Sequence, residues 1–332
     1  MSTTTMPEIN LSEAPDGDGL TPAQRLRKMA AAVRVQFTWW GVTRALSDDQ
    51  KVGIGETYNA DANLLYASKK ILDVKHPAWK AVKTVKSKIS RFWKSTTLPY
   101  VEDGVRLIKQ SDIQAFVSTM DGFKQDLAEA ETALNEVYEV IKDDAQSRLG
   151  TLFNPNDYPV EIKGMFSVAY DFPNTTPPSY LLKLDPELYK NQQAALNAKF
   201  EQAVHLAEQA FTAEFAQLVT HLTERLATAA DGTKKVFRDS AITNLTEFFD
   251  KFKNMNVHSS KQLDALVEQA KSMVAGVNPE VIRENDDYRQ QIATQLSGVQ
   301  AALDGMMVDA PRRRIIKPNQ EAKPEQNGET TT

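Results

Sequence analysis

A chain of 332 residues with a net charge of −5 and no cysteine cannot form disulfides, iron–sulfur clusters, thiolate zinc sites or cysteine nucleophiles. No stretch approaches the roughly 18 uninterrupted apolar residues of a membrane-spanning helix. Gly and Pro number 29, about 9% of the chain against about 12% in average usage, and 16 of them fall within 1–20, 150–178 and 305–332. The remainder is too sparse in turn residues for a β-sandwich or barrel.

In chain order, residues 1–20 are polar and acidic. They lack the basic start and apolar core of a signal peptide, and carry too little apolar side chain to offset ordering entropy, so a disordered tail is predicted. Thr21-Pro22 reads as N-cap and first helical position, opening a short helix to about Ala32. Val33, Val35, Phe37 and Trp39 then alternate with polar neighbours, the period of a strand. A loop around Gly53 and Gly55 follows, and then a helix near 60–73. Pro77 restarts a helix to about Lys94, with Trp79, Val82, Val85, Ile89, Phe92 and Trp93 on one stripe. In TLPYVEDGVRLIK, Asp103-Gly104 separates two short apolar runs, the mark of a two-residue type I′ hairpin. Region 21–110 is therefore predicted as a small α+β unit with at most three strands.

Ser111-Asp-Ile-Gln114 has the form of a capping box and opens a long helix. Its core positions Ile113, Phe116, Met120, Phe123, Leu127, Ala130, Leu134, Val137 and Ile141 step by a mean of 3.5, a coiled-coil period. Gly150 is the expected stop. Asp185-Pro186-Glu187 caps a second long helix to about Ala230, ended by Asp231-Gly232. Its seam is Leu196, Phe200, Val204, Ala207, Phe211, Phe215, Leu218, Leu222, Leu226 and Ala229. The simplest arrangement is an antiparallel hairpin over 111–232, with the insert 150–184 at its tip. Amphipathic helices near 237–253, 259–275 and 284–303 would close a bundle over 233–304, and 305–332 is predicted to be a second disordered tail. The fold class is thus mainly α.

Two features carry candidate function. Lys69, Lys70, Lys75, Lys80, Lys83, Lys86, Lys88, Arg91 and Lys94 face a single acid, Asp73, within 69–94. Lys80, Lys83, Lys88, Arg91 and Lys94 point mostly away from the apolar stripe. They form either a solvated outer face or a docking face for a nucleic-acid backbone or an acidic protein. The segment 121–144 holds eight acids against two lysines and could neutralise this patch within the chain. The insert contributes Phe153, Tyr158, Phe166, Tyr170, Phe172 and Tyr180, which suit either a partner-binding tip or a small satellite core. Arg312, Arg313 and Arg314 form a basic run that serves as a linear docking motif or a solubilising tail.

Catalytic signatures are missing. His76, His205, His221 and His258 are scattered, Gly53-Ile-Gly55 has Tyr58 where a dinucleotide fingerprint needs a third glycine, and there is no phosphate loop, HExxH or GxSxG. No metal, cofactor or catalytic residue is expected, self-association stays open, and a membrane partner is not.

The order of these features resembles a bacterial and phage family of unassigned function, whose genes commonly lie beside a MoxR-like AAA+ ATPase and a VWA-domain protein similar to cobaltochelatase subunits. The resemblance spans about 30–305. It is carried by VRVQFTWWGVTRAL, PAWKAVKTVKSKISRFW, TLPYVEDGVRLIK, PVEIKGMFSVAYDF and KKVFRDSAITNLTEFFDKFKNMNV. Gly41-Val42-Thr43-Arg44 stands where the family has a more basic turn. The resemblance implies a cytoplasmic accessory subunit, a non-enzymatic adaptor working with the ATPase and the VWA protein in a bacterial or phage-infected cell. Nucleic-acid binding through 69–94 is the other expectation.

Overall fold

The computed structural model describes residues 19–226, 237–277 and 279–309. It is mostly helical, built on a four-stranded antiparallel sheet with helices on both faces. The strands are β1 (Ala30–Trp39), β4 (Leu98–Pro99), β5 (Val105–Lys109) and β6 (Phe166–Asp171), in the order β4-β5-β1-β6. A separate two-stranded ribbon pairs β2 (Thr43–Ala45) with β3 (Ser68–Lys70).

The ten-residue β1 organises the sheet, and its two halves have different partners. Ala30–Arg34 lie opposite Lys109–Val105, whereas Arg34–Trp39 lie opposite Asp171–Phe166. Both faces of Ala30–Val33 are covered, so this stretch is apolar throughout: Ala30 and Ala32 face one core, Ala31 and Val33 the other. Only one face of the second half is covered, hence the alternation of Val35, Phe37 and Trp39 with Gln36 and Thr38. Pro99 sits on the edge strand β4, where its missing N–H costs no ladder bond.

The first core lies between the alanine face and the helices α1 (Pro22–Met29), α7 (Pro186–Leu226), α8 (Ser240–Met255), α9 (Lys261–Val274), α10 (Pro279–Glu284) and α11 (Asp286–Asp309). Thr21 and Gln24 cap α1 reciprocally. The Asp185 carboxylate accepts from the Glu187 and Leu188 amides and starts α7, whose 41 residues extend about 61 Å. Arg289 of α11, 4% exposed, donates to the Leu226 and Arg225 carbonyls and so ties α11 to α7.

The second core lies on the other face, between Val33, Val35, Ile108, Phe166 and Val168 of the sheet and the helices α3 (Pro77–Ser95), α4 (Ile113–Glu136) and α5 (Tyr138–Leu149). Phe92 of α3 stacks on Phe116 of α4 with ring centroids 5.5 Å apart. Gly150 stops α5 at φ +53°, a backbone region that favours glycine.

Several sequence expectations change here. The two long helices do not form a hairpin: α4 belongs to the second core and α7 to the first, with the sheet between them. The stripe of α4 is matched by that of α3, and the stripe of α7 by α8 and α11. The first long helix breaks at Val137 (φ −104°, ψ 4°), and no side-chain capping bond forms at its start. Gly53 and Gly55 lie inside a helix, α2 (Asp48–Tyr58), where a reciprocal cap between Ser47 and Gln50 outweighs the glycine cost. At Gly55 a Cβ would meet the Ala60 carbonyl oxygen at 2.7 Å, so the close approach itself needs glycine. Residues 60–73 form a 3-10 turn (Ala62–Leu64) and β3 instead of a helix. Leu98 pairs with Leu107 as the hairpin requires, but its loop is longer than two residues, closing with Gly104 at φ +75°. The N-terminal third holds five strands, two more than the predicted maximum, and the insert adds the edge strand β6. α8, α9 and α11 appear where amphipathicity placed them. Residues 1–18, Ala229, Asp231-Gly232 and 310–332 lie outside the described residues, and α11 continues through Gly305.

Candidate polyanion-docking face and aromatic insert

Helix α3 begins at His76, whose Nδ1 accepts from the Ala78 amide at 3.3 Å. Its far end is tied to the sheet by Arg106 of β5, which donates to Thr97 Oγ1 at 2.6 Å and to the Thr97 and Lys94 carbonyls. With Trp79, Val82, Val85 and Ile89 buried, a period of 3.6 puts Lys80, Lys83, Ser87, Arg91 and Lys94 on the opposite face, with Lys88 beside them. All five predicted cations are exposed. Lys94 lies fourteen positions after Lys80, so the row extends about 21 Å.

Among the described residues, the side chains of Lys80, Lys83, Lys88, Arg91 and Lys94 make no ion pair or hydrogen bond. No acid of 121–144 forms an ion pair with them. Asp121 pairs with Lys124, Glu139 with Lys142, and Asp144 shares Arg148 with Asp73. Glu131 is turned inward and accepts from the Phe166 amide at 3.0 Å.

Two lysines of the run have other employment. The Lys86 ammonium lies 4.2 Å from the Trp39 ring centroid and 5.1 Å from that of Phe37; burial, assisted by Lys83, lowers its pKa. The Lys69 side chain, 6% exposed, meets Asp157 at 2.8 Å and donates to the Leu152 carbonyl at 2.6 Å, pinning the insert to β3. Lys69→Ala leaves the Asp157 carboxylate without its principal partner and should cost about 3 kcal/mol in urea denaturation, whereas a Lys69→Met/Asp157→Leu double variant should recover most of it.

The insert aromatics divide, and they do not form a six-ring tip. Tyr158 and Phe166 are buried in the second core, and Phe153 stacks on Tyr158 at 5.0 Å. The Tyr158 hydroxyl donates to the Ile71 carbonyl at 2.7 Å, and Tyr170 donates to Asp121 at 3.1 Å. Phe172 is half exposed at the end of β6, and Tyr180 is 60% exposed. Tyr180 belongs to a group that sequence reasoning passed over: with Leu182, Leu184 and Leu188 it forms an exposed apolar group along α6 (Leu181–Leu184) and the start of α7. The signal was present in SYLLKLDPEL, too short to show a periodicity. Trp79 is buried and Trp93 partly buried, both in the second core, as the stripe implied.

Burial also sets a pH dependence. The Tyr138 hydroxyl donates to the Pro159 carbonyl at 2.9 Å, and desolvation, with Glu139 and Tyr158 adding to it, pushes its pKa up to about 12. A folded-state pKa above the unfolded value of about 10 makes the stabilisation complete below about pH 10 and lost as pH rises towards 12. Denaturation midpoints should fall across that window, and Tyr138→Phe should flatten the fall.

Among the described residues, no group of three or more His, Asp or Glu is placed to hold a metal ion. His205 and His221 are exposed on α7, and His258 lies 2.9 Å from Asp264 beside the start of α9. No helix of the described residues is long and apolar enough to cross a membrane. No family model matches this chain, and neither a curated protein nor a solved structure matches it.

Proposed function

We propose that this chain is a binding protein rather than an enzyme, docking through the outer face of α3 to the phosphate backbone of a nucleic acid. The observation that carries this reading is the row of exposed cations at Lys80, Lys83, Lys88, Arg91 and Lys94, none of which pairs with an acid of 121–144. Its length of about 21 Å equals the axial rise of about six base pairs, over which both strands of a duplex present phosphates. Lysines and an arginine on a convex helix face supply charge without base readout, so binding should be independent of sequence. Five contacts imply a log–log salt slope of about −4.5 on duplex DNA, roughly a 500-fold loss of affinity between 50 and 200 mM salt. Fluorescence anisotropy on duplex and single-stranded oligonucleotides tests this; no binding at low salt sinks it.

A second reading is favoured by the exposed apolar group Tyr180, Leu182, Leu184 and Leu188. Such a surface suits a non-enzymatic adaptor in an assembly with a MoxR-like AAA+ ATPase and a VWA-domain protein. Co-purification of both from the native host, lost on Leu182→Ser/Leu184→Ser/Leu188→Ser, supports it. Retention of both after those substitutions removes this surface from the account.

A further inference from the structure

β1 outruns its neighbour β5. The pairing of these two strands ends with Arg34 opposite Val105, while β6 continues beside β1 as far as Trp39. Among the described residues, Phe37 and Trp39 therefore have a strand on one side only. Their rings stand on the face of the second core yet stay partly exposed, edge to face with centroids 6.3 Å apart. Phe166 supports Trp39 from the paired side, at 4.9 Å between centroids. From α3 the Lys86 ammonium lies over both rings. Lys83, one turn earlier, is near enough that its charge helps to lower the Lys86 pKa. The two rings thus adjoin the cation row of α3 at Lys83.

We propose, resting on the reading of α3 as a phosphate-docking face, that Phe37 and Trp39 are a stacking platform for an unpaired base. The preferred ligand is then a single-stranded nucleic acid. A duplex keeps its bases stacked on one another and offers α3 only its backbone. A single strand lays a base on the rings while its phosphates follow the lysines, and every base has a π-face, so stacking adds affinity without base readout. In the free protein the Lys86 ammonium covers the rings by cation–π attraction. On binding it turns to the phosphate and yields its place to the base. A phosphate beside Lys83 and Lys86 also offsets the repulsion between their two charges. Trp79 and Val82 fix α3 on the second core, so the lysine flank and the rings are held side by side before the ligand arrives.

The full chain is tested with a short oligothymidine and a duplex of the same length. Fluorescence anisotropy should show about tenfold tighter binding of the single strand. Trp39→Leu should remove that advantage while duplex affinity changes by less than about twofold, because paired bases do not reach the rings. Trp39→Phe keeps a π-face and should retain most of it. Since Trp39 also packs on Phe166, a second measurement uses the unaltered chain: photo-crosslinking to an oligonucleotide that carries iodouracil. Trypsin releases residues 35–44 as one peptide, and fragmentation should place the cross-link at Phe37 or Trp39. Cross-links confined to other residues overturn the proposal, as does a folded Trp39→Leu chain that keeps the single-strand advantage. Equal affinity for the two oligonucleotides also overturns it but leaves the phosphate-docking reading of α3 standing. Failure to bind either one ends both.

Discussion

Replacing Lys80, Lys83, Lys88 and Arg91 together by Glu is expected to abolish nucleic-acid binding, a loss on the order of 10³-fold or more at 50 mM salt. The magnitude follows from counterion release: every phosphate contact removed forfeits its released ion, and each new carboxylate repels the backbone. The same substitutions should leave folding nearly untouched, within about 0.5 kcal/mol, because all four side chains are exposed and have no ion-pair partner among the described residues. Thermal melting alongside anisotropy separates the two effects. A single Lys94→Gln should reduce the salt slope by about one and weaken binding equally on unrelated sequences. Wild-type affinity in the fourfold variant would take α3 out of the account.

The largest stability loss is expected at Phe248. Its ring, 2% exposed, stacks on Phe215 at 5.1 Å and lies within 6.3 Å of the rings of Phe211, Phe249 and Phe252. This cluster seals α7 to α8. Phe248→Ala removes a large apolar surface and leaves a cavity whose walls are rings held by two helices, so relaxation is limited. A cost of about 4 kcal/mol follows, read as a shift in the urea midpoint. Phe248→Leu, closer in volume, should cost less than half as much. A loss under about 1 kcal/mol for Phe248→Ala would mean that the cluster collapses around the gap.

How much of this was legible depended on whether a signal is local. Capping chemistry at Thr21 and Asp185 and the stripe of α3 appear as written, since each needs only residues within a turn or two. The same logic, fully applied, would have found α2: Ser47 and Gln50 have the spacing of a capping box, but two glycines masked it. β1 shows the limit from the other side. Ala30–Ala32 have no alternation because both faces are covered, and a run of alanines in isolation favours helix. The candidate site divided in the same way. The outward face of α3 follows from its own periodicity, whereas burial of Lys69 against Asp157, 88 positions away, does not. The rings at Tyr158 and Phe166 turn inward because β6 completes the sheet beside β1, a pairing across more than 120 positions.

The sequence by itself therefore determined the helical class, the starts of α1, α3 and α7 and the faces that α3, α4 and α7 bury, because these depend on interactions a few residues apart. Tertiary structure alone decided which faces meet. Apolar stripes attract without direction, so the periodicity of 111–149 suited α7 and α3 alike. The sheet, assembled from strands far apart in the chain, put one long helix on each side of itself. That separation turned a predicted hairpin into a layered body, and it left the scarce Gly and Pro of 150–178 in an insert that completes the sheet and the second core.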